Sequence, residues 1–63
     1  MAVIFKITDD NRALEIAFSQ EDKIATIFIG EELDAETWTS INIDKEGAIE
    51  LIRYLQKIVR KMD

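Results

Sequence analysis

The chain has 63 residues, with eight Lys or Arg against thirteen Asp or Glu, for a formal charge of −5. It contains neither Cys nor His, which excludes disulfides, thiol nucleophiles, imidazole bases and zinc sites built on either residue, and with them most enzyme classes. Its 48% hydrophobic content is that of a globular chain, but its length lies near the lower limit for a self-sufficient core. No basic stretch leading into an apolar run opens the chain, and no apolar run approaches the ~20 residues of a membrane span. The expectation is one cytoplasmic domain over residues 1–63 with no membrane association.

Val3 to Thr8 alternates as a strand, with β-branched and aromatic residues that suit a half-buried pleated surface. Asp9, Asp10 and Asn11 form a turn. Arg12 to Ser19 follows with Leu14, Ile16 and Phe18 on one face and Ala13, Glu15 and Ala17 on the other, pairing with the first strand as a hairpin. After the polar break Gln20-Glu21-Asp22, Lys23 to Ile29 is apolar on both faces, as a central strand would be. Gly30 ends it, and residues 31–36 read as a loop or a single helical turn. Thr37 to Ile43 resumes an extended pattern, with Ile41 and Ile43 on the side of Thr37 and Thr39, and Trp38, Ser40 and Asn42 on the other. Asp44 is a good N-cap. From Ala48 the apolar positions Ile49, Leu51, Ile52, Leu55, Ile58, Val59 and Met62 follow helical spacing, with acids near the start and Lys57, Arg60 and Lys61 near the end.

These elements make an α+β domain: a four-stranded antiparallel meander with one C-terminal helix packed across one face. That face is expected to take Val3, Phe5, Ile7, Leu14, Ile16, Phe18, Ile41 and Ile43. One helix covers only one face, leaving on the other Ile4, Ala13, Ala17 and either Ile24 with Phe28 or their neighbours, joined by Trp38. Ile4, Ile24, Phe28 and Trp38 are the candidate apolar patch, although the pattern does not say which face of Lys23 to Ile29 meets the helix. Either the sheet curls and buries part of that patch against loop residues such as Leu33, or the patch and the edge strand serve as an oligomer interface. Self-association as a homodimer or higher oligomer is the preferred expectation.

In a meander the turn at Asp9 and Asp10 and the segment holding Glu31, Glu32, Asp34 and Glu36 fall at the same end of the sheet. Six carboxylates then share one rim, either as a contact site for a basic partner or as a solvated end neutralised by Lys57, Arg60 and Lys61 of the helix. Residues 1–44 carry ten acids against three bases, and residues 45–63 three against five. The acidic segment lacks the spacing of a calcium loop, and neither paired-carboxylate hydrolysis nor nucleophilic catalysis by Ser19 or Ser40 has a supporting motif. With only Gly30 and Gly47, there is no glycine-rich phosphate loop. No catalytic residue, cofactor or metal is therefore expected.

The junction from Thr39-Ser40-Ile41-Asn42-Ile43-Asp44-Lys45-Glu46 into Ala48 to Lys61, together with the strand order, resembles the single-stranded-DNA-binding domain of the transcriptional coactivator called positive cofactor four and its bacterial relatives. The resemblance covers about 24 residues plus the topology. It implies a domain that dimerises through its helix and holds single-stranded DNA on curved strands. The strands here offer only Lys6, Arg12 and Lys23 against ten acids, an unfavourable field for phosphate, so no binding residues are carried over.

The functional expectation is a small acidic, non-enzymatic interaction protein. It would act as an inhibitor or adaptor that presents carboxylates to a basic protein partner, in the manner of a phage or bacterial nucleic-acid mimic. A single-stranded-nucleic-acid binder and an oligomeric sponge for a charged nucleotide are the alternatives.

Overall fold

A computed structural model describes residues 2–62. Four antiparallel strands, β1 (Ala2–Asp9), β2 (Arg12–Ser19), β3 (Ile24–Glu31) and β4 (Asp34–Ile43), form one open sheet in the order β1-β2-β3-β4, followed by a helix, α1 (Lys45–Lys61). The α+β class and the meander are as the sequence pattern predicts. Short turns dictate that order: Asp10 occupies the left-handed region at φ 59° in the first hairpin, a conformation Asp tolerates better than most residues. In the second, Lys23 does the same while its N–H donates to the Ser19 carbonyl at 2.8 Å. The Asp22 N–H also donates to Ser19 Oγ at 3.3 Å, closing the turn.

Two irregularities shape the sheet. In β1 the register shifts between Val3, opposite Ala17, and Phe5, opposite Ile16, so that Ile4 is the extra residue of a bulge. Val3 therefore lies on the opposite face from Phe5 and Ile7, which corrects the uniform alternation expected of this strand. In β4 the pairs Ile29 with Thr39 and Glu31 with Asp34 leave four residues of β4 facing Gly30 alone. Thr37 fills this bulge, its hydroxyl donating to the Asp34 carbonyl and accepting from the Glu31 N–H, both at 2.8 Å. The segment read as a loop or helical turn is thus a tight hairpin at Glu32 and Leu33, with β4 starting at Asp34.

The cross-strand register sorts the side chains onto two faces. One carries Phe5, Ile7, Leu14, Ile16, Phe18, Ala25, Ile27, Ile29, Ile41 and Ile43. The other carries Val3, Lys6, Ala13, Glu15, Ala17, Ile24, Thr26, Phe28, Gly30, Ser40 and Asn42, and Trp38 packs on Gly30. Among the described residues, the four buried ones, Ala13, Ala17, Thr26 and Gly30, lie on this second, sheltered face. No described side chain larger than threonine is buried.

The helix departs from expectation in its placement. It begins where the sequence places it, with Asp44 Oδ1 accepting from the Gly47 N–H at 2.9 Å. However, α1 does not lie across the sheet: it meets β4 at the junction, and none of its residues is buried. The reason is the connection. Asp44 is the only residue between β4 and α1, and its side chain and carbonyl are both committed to the first helical turn, the carbonyl accepting from Ala48 at 2.9 Å. Reversing direction onto a sheet normally takes a linker of about 2–6 residues.

Candidate functional site

Three surfaces stand out. The first is the acidic rim. The Glu32 N–H donates to the Asn11 carbonyl at 2.8 Å, tying the β3–β4 turn to the β1–β2 turn, so Asp9, Asp10, Glu31, Glu32, Asp34 and Glu36 do gather at one end of the sheet. The Glu36 N–H donates to Asp34 Oδ1 at 3.1 Å, and Lys6 Nζ lies 3.4 Å from Glu32 Oε1. Glu31 is half-buried and the other five are exposed. Lys57, Arg60 and Lys61 form no ion pair with the rim among the described residues, because the helix leaves from the opposite end of β4 and does not fold back. The neutralising role expected of them is corrected accordingly. Leu33 at the hairpin tip is 99% exposed and shields nothing, which removes the cover that the alternative to self-association assigned to the second face.

The second surface is the sheltered face. Small residues make its floor, and Val3, Glu15, Ala17, Phe28 and Trp38 line an open, shallow hollow of about 360 Å³. Gly30 is required here: a Cβ on it would meet the Trp38 ring at 2.6 Å and Trp38 Cα at 2.9 Å. Thr26 Oγ1 donates to Asn42 Oδ1 at 2.7 Å beneath the same face. Three of the residues assigned to an oligomer patch, Ile24, Phe28 and Trp38, are half-buried on this face, whereas Ile4 sits exposed in the bulge.

The third surface was missed as a site because the sequence pattern assigned a cover to it. The face holding Phe5, Ile7, Leu14, Phe18, Ile29 and Ile41 is open, with Ile41 62% exposed. The apolar stripe of α1 is open too: Ile52 is 56% exposed and Val59 62%. The opposite side of the helix makes its own contacts, such as Glu50 with Arg53 at 3.6 Å. The helix is about 25 Å long and eight-residue strands about 26 Å, so the two open surfaces match in length.

The area of the chain quantifies how much lies open. Its accessible surface is 5532 Å², against roughly 4,200 Å² for a compact monomer of this mass. The excess of about 1,300 Å² exceeds the ~800 Å² that each partner buries in a standard interface. The radius of gyration, 13.1 Å, likewise exceeds the ~10.6 Å of a compact domain of this length.

No protein-family model, curated protein or solved structure matches the chain. Among the described residues, no three acidic groups are placed to hold a metal ion, and no helix is long and apolar enough to cross a membrane.

Proposed function

We propose that this chain is a non-enzymatic, self-associating interaction protein whose acidic rim engages a basic protein partner, as an inhibitor or adaptor. The observation that carries the self-association is the pair of unpartnered apolar surfaces, the open sheet face and the α1 stripe. Each can bury the other's excess area in a homodimer where α1 of one copy lies on the open face of the next, a reciprocal contact that two-fold symmetry closes. This differs from an interface through Ile24, Phe28 and Trp38, which are half-buried within one copy. Light scattering coupled to size exclusion at micromolar concentration checks it: the expected mass is twice the chain's 7.3 kDa, and a clean monomer overturns the reading.

The six carboxylates at one end, with a formal charge of −5, support the basic partner, since such a field steers cationic surfaces and weakens as salt screens it. Titration with octa-arginine measures this directly. Affinity should fall as salt rises and fall again on charge reversal at Glu31, Glu32 and Asp34; if those reversals leave binding unchanged, the rim is not the contact site.

A second reading has one observation in its favour. Phe28 and Trp38 on one sheet face are the aromatic pair a single-stranded-nucleic-acid binder uses for base stacking. The same face carries Glu15, and Lys6, the base beside it, is shared with Glu32. Phosphate would meet a net negative field there.

A further inference from the structure

The sheltered face carries chemistry that neither the rim nor the open face uses. Its hollow, about 360 Å³, is open and shallow, sized for one side chain of a partner rather than for an engulfed small ligand. Val3, Phe28 and Trp38 give it apolar and aromatic walls, and Glu15, opposite Phe28 in register, gives it a carboxylate. Glu15 is poorly matched in charge. Lys6 Nζ is 3.8 Å from Glu15 Oε2 but 3.4 Å from Glu32 Oε1, so one ammonium serves two carboxylates and stands beyond hydrogen-bonding distance of Glu15. The hollow therefore offers an aromatic lining and a carboxylate with spare acceptor capacity.

A guanidinium fits this combination. It is planar and weakly hydrated, stacks on aromatic faces and donates in pairs to a carboxylate. A neutral apolar group would leave Glu15 without a new partner, and a phosphate would be repelled by it. An ammonium would gain the charge contact but not the stacking of a planar group.

We propose that the hollow receives an arginine side chain of a basic polypeptide, with Glu15 accepting from the guanidinium and Phe28 and Trp38 flanking it. The inference rests on the basic-partner reading above and moves the anchor from the rim to the sheltered face.

Trp38 is the sole tryptophan, so its emission reports occupancy. Octa-arginine should shift that emission saturably and bind several-fold more tightly than octa-lysine. Glu15→Gln should weaken octa-arginine about tenfold, the scale of a lost charged hydrogen bond, while Glu15→Asp retains part of the affinity and circular dichroism stays unchanged in both. A rim variant, Asp10→Asn with Asp34→Asn, should lose less. Unaltered binding by Glu15→Gln alongside loss in the rim variant overturns the hollow and leaves the basic-partner reading standing. No binding of either peptide overturns both. Saturation of the Trp38 response by single-stranded oligothymidine at lower concentration than octa-arginine assigns the hollow to nucleic acid and overturns the proposal.

Discussion

Gly30 and Trp38 set the sheltered face at the level of single residues. The indole lies where a side chain at position 30 would have to be, its Cγ and Cδ2 being the nearest conflicts, with the Trp38 backbone Cα next at 2.9 Å. Gly30→Ala therefore has no soft neighbour to displace and should cost about 1–3 kcal/mol, read as a lower urea midpoint with an unchanged slope. The dependence of Trp38 on Gly30 was not legible in the sequence, where Gly30 reads simply as the end of a strand. Its cause is the β4 bulge, which sets four residues against one and depends on how Thr37 closes hydrogen bonds to both Glu31 and Asp34. Asp44 is the converse case. An acid followed by a helical apolar pattern names its own role, because a cap acts on backbone N–H groups only two or three residues away.

Element by element, α1 is both the most legible and the most misplaced part of the chain. Its amphipathic period is local, so its existence and limits follow from the residues between Asp44 and Met62. Its docking is non-local and is governed by a one-residue connection whose geometry a pattern does not reveal. Leu55, 48% exposed in the stripe, separates the possibilities. A charge there costs an isolated, projecting helix little but is intolerable in an apolar interface. On the proposed reading, Leu55→Glu should convert a dimer to a monomer on size exclusion, and a dimer that survives it removes α1 from the interface. The open sheet face follows the same logic. The residues expected on it, Val3 excepted, are there, but the chain's own helix does not cover them.

For the whole molecule, no large side chain among the described residues is buried within one copy, so the proposed self-association would couple folding to association. Such a protein has a melting temperature that rises with protein concentration, because association draws the folded state forward by mass action. Calorimetry between about 5 and 500 μM should show that rise; a constant melting temperature over the range would mean that each copy is stable alone. The acidic rim belongs to this scale too. Its six groups come from two turns that meet only because the hairpins are in register, joined by the Glu32-to-Asn11 hydrogen bond.

The sequence by itself determined the five elements, their order, the helix cap and the gathering of acids at one end. Each of these follows from periodicity, turn chemistry or the alternation of strand direction, all of which act over a few residues or over topology. Only the tertiary structure decided that the helix projects, that Val3 changes face, and that Glu15, Phe28 and Trp38 line one open hollow. These depend on two bulges and a linker one residue long, where displacing the backbone by a single position redirects a side chain to the opposite face or a whole helix away from its sheet.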